Sequence, residues 1–310
     1  MYLEKKIGIV IPCYKVKKKI LKVLKKIPNY IDVIVVVDDF CSEKTGEYVQ
    51  KNKPNNINLH IKFNKKNLGV GGAVLVGYKT LLKENCDILV KIDGDDQMNQ
   101  LEIIKLINPI LKYNYDYAKG NRYLNKNNFE QMPKLRRFGN YLLSLFSKIT
   151  TGYINIFDFL NGFTAIKSAC IKKIIKKKNI ENNFFFETDM LFKLNTIKAK
   201  VKDVAVFIKY PKNNKSNFIP QKEFFNFFYK NIQKYILRVY EKYFLTNLYF
   251  EIFIFINLVT SLFINIIYNS KVIIVGFNKQ DLNMALFLHL VASILISVYI
   301  DMKNNPNLKM

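Results

Sequence analysis

An α/β fold built on a mostly parallel sheet with helices on both faces is what this sequence predicts, and three observations make the case. Short β-branched runs recur from Ile7 to about Tyr210: Ile7–Ile11, Val33–Val37, Leu59–Phe63 and Ile88–Ile92. Between them, segments 17–27, 43–51 and 70–83 carry apolar residues at helical spacing. Such alternation means βαβ units and parallel strands. The third observation is that unusual residues gather just after the runs, where ligands bind in open sheets of this kind.

Taken in order, the first run is followed by Pro12-Cys13-Tyr14 and the second by Asp38-Asp39. Shortly after the third comes Asn67-Leu-Gly-Val-Gly-Gly72, and after the fourth Asp93-Gly-Asp-Asp-Gln97. A dinucleotide-binding domain fails on detail, because Pro-Cys-Tyr stands where G-x-G-x-x-G belongs and the glycines come too late. There is no Walker A sequence either. Nothing about folding asks for Asp93, Asp95 and Asp96 to crowd the end of an apolar strand, since like charges repel. A divalent cation reverses that cost, and carboxylate oxygens suit Mg²⁺ or Mn²⁺. Gly94 lets the backbone turn so that Asp93 and Asp95 face one ion. The competing reading is an acidic turn that caps a helix starting near Asn99.

Half of the 310 residues are hydrophobic, enough for a sizeable core, and the formal net charge is +25. Such a charge first suggests nucleic acid or an anionic membrane surface. Nucleic acid is excluded as the leading reading. The charge is spread along the whole chain, and only four of the 49 basic residues are Arg, whereas base-edge recognition favours Arg forks. Three of those four, Arg122, Arg136 and Arg137, fall close together. In a chain that otherwise uses Lys, planar forks in one region suggest a phosphate oxyanion. Cys13, Cys41, Cys86 and Cys170 lie far apart without a C-x-x-C pair, which fits reduced thiols in the cytosol. No secretory h-region opens the chain, so the amino-terminal part is expected on the cytoplasmic side.

Beyond Tyr210 the composition changes. Residues 222–244 mix Phe224, Phe225, Phe228, Ile232 and Tyr235 with Lys222, Lys230, Lys234 and Arg238. This is the pattern of an interfacial helix on an anionic leaflet, or of a helix packed on the preceding domain. Two apolar stretches follow, Leu248–Tyr268 and Leu282–Ile300, each about the 20 residues that span a bilayer core. The connector between them is poor in basic residues, so the positive-inside tendency puts it outside and the catalytic part inside. The expected domains are 1–220, an α/β catalytic domain; 221–245, an amphipathic juxtamembrane helix; and 246–310, a transmembrane hairpin and tail. Membrane lipids are therefore expected partners, and a homo-oligomer is allowed.

At this point the residues carry a resemblance. Ile9-Val-Ile-Pro-Cys-Tyr14, Val35-Val-Val-Asp-Asp39, Asn67-Leu-Gly-Val-Gly-Gly-Ala73, Asp93-Gly-Asp-Asp-Gln97 and Gly120-Asn-Arg122 follow one another in order. Arg136-Arg137, Phe157-Asp-Phe-Leu-Asn-Gly-Phe163 and Phe184-Phe-Phe-Glu-Thr-Asp189 continue the series. Together they resemble the family 2 glycosyltransferases of GT-A fold, most of all the membrane-anchored polyprenyl-phosphate branch typified by dolichyl-phosphate mannose synthase. The resemblance implies an inverting, metal-dependent transfer from a nucleotide-diphosphate sugar to polyprenyl phosphate. It implies Asp93, Asp95 and Gln97 at the metal, and Pro12, Tyr14, Asp38, Asp39, Asn67, Gly71 and Asp93 around the donor. Glu187 and Asp189 take the place of the general base, with Asp158 an equal candidate. A phosphate monoester, largely dianionic because its second pKa is about 6, needs little deprotonation. The chain departs from the family at Phe40, where Asp-Asp-Gly-Ser is usual, and at Lys212-Asn-Asn-Lys215, where many relatives carry an acidic residue before a Ser. Two alternatives stand beside this one: extension of a lipid-linked oligosaccharide or cell-surface glycan, and a catalytically inactive nucleotide-sugar binder.

Overall fold

The computed structural model describes residues 2–54, 57–126, 134–176, 180–183, 185–209 and 220–241, with scattered positions from 257 to 299. They fall into two compact units, Met1–Lys234 and Tyr235–Met310. The first unit is organised by one sheet of seven strands. These are β1 (Ile7–Cys13), β2 (Val33–Asp38), β3 (Leu59–Phe63), β4 (Ile88–Lys91), β5 (Tyr117–Asn121), β6 (Thr164–Lys167) and β7 (Val201–Ala205). Their order across the sheet is β3-β2-β1-β4-β6-β5-β7. The four expected runs are the four parallel neighbours on one side, with Ile9 beside both Ile34 and Val90. β6 runs antiparallel between β4 and β5, while β5 and β7 are parallel.

Strand alternation divides the core. Ile7, Ile9 and Ile11 with Ile34 and Val36 face one layer, packed on Ile20, Val23 and Leu24 of α1 (Lys17–Lys25). Leu106, Ile107 and Ile110 of α4 (Ile103–Lys112) complete that layer; α2 (Thr45–Asn52) precedes it in the chain. Val10, Val33, Val35 and Val37 face the other layer, packed on Val74, Tyr78 and Leu81 of α3 (Gly69–Lys83). Burial on both faces is why these strands read as continuous apolar runs. Contact between α3 and the sheet is closest at Gly77, where a Cβ would lie 2.0 Å from Val10 Cγ2.

Among the described residues the helices α5 (Lys134–Thr151), α6 (Ser168–Lys176), α7 (Phe186–Thr196) and α8 (Pro220–Val239) follow. As far as Lys234, α8 belongs to the first unit. Phe227 meets Phe185 edge-on at 4.9 Å, Phe228 meets Phe146 of α5 at 4.7 Å, and Thr150 Oγ1 donates to the Asn231 carbonyl at 3.2 Å. The aromatic face of α8 thus packs on the domain before it, within the unit that ends at Lys234. In the second unit the Arg238 guanidinium lies over the Tyr235 ring. The two expected spans, and the segment 212–216, lie outside the described residues apart from a few isolated positions. Among the described residues no helix is long and apolar enough to cross a membrane.

Candidate active site

The carboxyl ends of β1, β2 and β4 open on one cavity of about 630 Å³. Pro12 from β1, Tyr14 just after it, Asp39 after β2, Asn67 before α3, and Asp93 and Asp95 after β4 all line it. Six site residues expected from the sequence thus share one enclosure, although β2 and β4 are separated by β1 in the sheet. Asn183, Phe185 and, from α8, Asn226, Phe227 and Lys230 contribute further polar and aromatic lining.

Asp93 and Asp95 emerge where β4 stops. Asp93 Oδ1 accepts from Lys91 Nζ at 3.1 Å, and Asp95 Oδ1 accepts from the Gln97 amide at 3.1 Å. Burial, and then the charge of Asp93, push the Asp95 carboxyl up to about 6. Two carboxylates that resist ionising together are the arrangement a dication relieves. Among the described residues no group of three or more acidic, His or Cys side chains is arranged to hold an ion. Mg²⁺ and Mn²⁺ need only one or two protein carboxylates when substrate phosphates and waters fill the other positions, and Asp93 and Asp95 supply such a pair in the cavity lining. The donor set therefore fits the ion. Gln97, the remaining residue that the resemblance puts at the metal, stands outside the cavity lining and acts through its backbone, whose carbonyl accepts from the Lys209 amide at 2.8 Å.

The two aspartates after β2 divide their work. Asp38 is buried, accepts from the Cys41 amide at 2.7 Å and the Gly46 amide, and is absent from the lining. It builds the turn. Asp39 accepts from Asn64 Nδ2 at 2.7 Å and the Leu68 amide at 2.8 Å, and reaches the cavity. Phe40 holds φ at 56° with its ring exposed, so the backbone keeps the left-handed turn without the glycine usual in the family. Such a conformation costs a non-glycine residue roughly 1–2 kcal/mol.

The glycine segment lines the cavity with Gly69 and Val70 and also packs closely on a neighbouring stretch of chain. Gly69 has φ +76°, and a Cβ there would lie 2.5 Å from the Asn182 carbonyl oxygen. A Cβ on Gly71 would lie 2.4 Å from the Glu181 carbonyl oxygen, and the Gly71 amide donates to the Asn182 carbonyl at 2.7 Å. The start of α3 is thus covered by chain 181–183. Gly71, expected at the donor, is outside the cavity lining and its amide is already engaged.

Behind the cavity lies a buried charge cluster whose two lysines no motif announced. Lys91 Nζ is 2.8 Å from Glu187 Oε1 as well as 3.1 Å from Asp93, and Lys119 Nζ is 3.9 Å from Glu187 Oε2. Burial works against the charge of Lys91, but Asp93 and Glu187 outweigh it and hold its pKa above the usual lysine value. For Lys119 burial prevails over Glu187 and Asp158 and the pKa is lowered. The signal available in the sequence was Lys91 itself, a lone charge inside an apolar strand.

The expected catalytic carboxylates all carry partners. Asp158 takes a two-pronged bond from Arg122, Nε to Oδ2 and Nη2 to Oδ1, both at 2.7 Å. Asp189 accepts from the Glu181 amide at 2.9 Å and pairs with Lys234 at 2.9 Å, fully buried. Neither, nor Glu187, is in the cavity lining. Of the expected phosphate-binding arginines, Arg122 is buried against Asp158, Arg137 is half-buried on α5 and outside the lining, and the Arg136 side chain is outside the described residues.

Asp203 on β7 supports this region, accepting from the Phe157 amide at 3.0 Å and from Asn121 Nδ2. Burial raises its carboxyl to about 6, against those two bonds. A carboxyl whose folded pKa is raised binds protons better in the native state, so its contribution is lost as pH rises through about 6. Asp203→Asn should remove up to about 2–3 kcal/mol of that dependence. Urea midpoints at pH 5 and 7.5 check this: the variant should show a smaller difference than the wild type, and an equal one would reject the shift.

The glycosyl transferase family 2 profile matches residues 8–175, from β1 into α6. The chain belongs to glycosyl transferase family 2. It is a glycosyltransferase by that membership. It is 32% identical over 183 residues to the UDP-N-acetylglucosamine–dolichyl-phosphate N-acetylglucosaminyltransferase of Methanococcus voltae, covering 54% of this chain and 72% of the relative. It is 22% identical over 173 residues to the undecaprenyl-phosphate mannosyltransferase of Micrococcus luteus, covering 56% and 70%. Glucosyl-3-phosphoglycerate synthase from Mycobacterium tuberculosis, solved with Mn²⁺, UDP and glucosyl-3-phosphoglycerate, superposes with a TM-score of 0.54 at 16% identity, over 76% of this chain and 80% of that one. At that identity the likeness shows the fold, a GT-A-like sheet, and no more.

Proposed function

We propose that this family 2 glycosyltransferase moves a sugar, with inversion, from a nucleotide-diphosphate sugar to polyprenyl phosphate at the cytoplasmic face of a membrane. The observation that carries the reading is that Asp93 and Asp95 share a cavity with Tyr14, Asp39 and Asn67. One end of that enclosure suits a diphosphate with its cation, and the other a nucleoside. Two relatives named for transfer to dolichyl and undecaprenyl phosphate support the acceptor class.

In this reading Asp39 hydrogen-bonds the nucleoside, Pro12 and Tyr14 flank the base, and Asp93 and Asp95 hold Mg²⁺ or Mn²⁺. The bound ion would act as a Lewis acid on the departing diphosphate. An acceptor oxygen forms the new bond to the anomeric carbon as the bond to the nucleotide breaks, and the electron pair leaves on the β-phosphate oxygen. A dianionic phosphate needs no proton removed, which agrees with carboxylates that are all engaged in structural pairs. Glu187, Asp158 and Asp189 are then positioning groups. Residues 1–220 form the catalytic domain, the 221–245 segment packs its start on that domain and turns its exposed apolar side chains, Phe225 and Tyr229 among them, to the membrane surface, and 246–310 form the hairpin anchor.

The test is direct. Membranes holding the full chain, polyprenyl phosphate, Mn²⁺ and a panel of nucleotide-sugars should yield a monoglycosylated polyprenyl phosphate. Transfer to a lipid-linked oligosaccharide but never to free polyprenyl phosphate would favour glycan extension instead.

A further inference from the structure

A phosphate acceptor has to meet a cation, and Arg122 and Arg137, two of the arginines expected to supply it, do not line the cavity. Arg122 is bound in two places by Asp158, which leaves it a strut. Among the described residues that line the cavity, Lys230 is the one with a cationic side chain.

Its setting is rigid. The helix that carries it is fixed on one side by Phe227 against Phe185 and on another by the Thr150 bond to the Asn231 carbonyl. The Lys230 ammonium lies 5.9 Å from the centre of the Phe185 ring and 2.6 Å from Glu181 Oε2. Its side chain is 20% exposed, so it is neither sealed in the core nor free on the surface. Glu181 itself is shared, since Lys234 also approaches it, at 3.9 Å. An ammonium held beside a cavity by one partly exposed carboxylate is a site where an incoming dianion competes for the cation. A phosphate brings more charge than the carboxylate it displaces. Phe185 and Phe227 beside it give the apolar part of such an acceptor a surface to lie on.

We propose that Lys230 receives the phosphate of the acceptor, and that Glu181 holds its ammonium in place until that phosphate arrives. The inference rests on the reading of the reaction given above, and it names the group that recognises the acceptor. The chemistry recognised is a phosphate monoester, and its source is either a lipid headgroup or a small soluble molecule.

Kinetics on the full chain in lipid, with the acceptor varied at saturating donor, test it. Lys230→Met should raise the acceptor KM about ten- to a hundredfold, the usual worth of a charge-assisted bond, and leave the donor KM within about twofold. Glu181→Gln should move the acceptor KM in the opposite direction, because it removes the competitor. A role confined to fastening the helix predicts that both variants behave alike, since both break the same pair, and that result would overturn the proposal. So would an unchanged acceptor KM in Lys230→Met, or a rise in the donor KM alone. Lys230→Arg should restore most of the affinity. Running polyprenyl phosphate and glycerol 3-phosphate as separate acceptors identifies the source: saturation by the lipid alone assigns a headgroup, by both a bare phosphate. If the wild type glycosylates no phosphate monoester with any donor, the reading of the reaction fails, independently of how the variants compare.

Discussion

Asp93→Asn should reduce sugar transfer by about 10²–10³-fold or more while the protein stays folded, a loss in the range seen when one electrostatic contact to a developing anion is removed. The substitution is nearly isosteric, and its amide oxygen can still accept from Lys91, which now stands 3.1 Å from the carboxylate. What disappears is the charge. Asp95 alone would face the ion, and the charge of Asp93, which adds to burial in raising the Asp95 carboxyl, would be gone. Initial rates against Mn²⁺ concentration, with thermal unfolding as the control on folding, measure both sides of the expectation. Wild-type protein stripped with EDTA should fall to the level of the variant and recover on readdition of the ion. Full activity after stripping would remove the metal from the reaction.

The largest expected effect on stability is at Lys91. Lys91→Met should cost about 3–5 kcal/mol, the range for breaking a buried ion pair by removing one partner. Lys91 is 3% exposed at the side chain and bridges Asp93 and Glu187, so its removal strands two carboxylates at once. Asp93 is open enough to turn toward the cavity, whereas Glu187 is held in a pocket with Lys119 3.9 Å away. The double variant Lys91→Met/Glu187→Gln should therefore recover a large part of the loss. Urea unfolding of the single and double variants decides it: a loss under about 1 kcal/mol in the single variant would mean that the cluster is more hydrated than its burial indicates.

Much of the sheet is legible in the sequence because β1, β2 and β4 are buried on both faces, which writes apolar runs into the chain, with Lys91 the charge inside the β4 run. β5 is as fully buried and β7 partly so, but Tyr-Ala-Lys-Gly-Asn and Val-Lys-Asp-Val-Ala interrupt their apolar residues with charge, so neither reads as an apolar run. Lys119 of β5 is buried with the Asn161 carbonyl as its acceptor at 2.7 Å, a long-range contact that composition cannot reveal. In the site, residues whose roles follow from standing at a strand end are the ones sequence reasoning finds, among them Asp93, Asp95 and Asp39. Residues that arrive from distant chain escape it: Asn183 and Phe185, and Lys230, which the sequence presents only as part of a basic, aromatic surface. Asp38 and Asp39 are adjacent and chemically identical, and only the direction of each side chain separates turn builder from cavity wall.

The covering of the α3 start by chain 181–183 makes two positions unequal in what they tolerate. Every residue type brings a main-chain carbonyl, so position 182 meets the Gly71 amide whatever its side chain. Position 71 has no such latitude, because any side chain begins with a carbon 2.4 Å from the Glu181 oxygen. A complete substitution scan should thus return a permissive position 182 and an intolerant position 71, though the two make a single contact. A glycine kept for this reason looks, in a sequence, like one kept to admit a phosphate. The scan tells the two apart, because the intolerance at 71 would appear in the amount of folded protein even when no substrate is supplied.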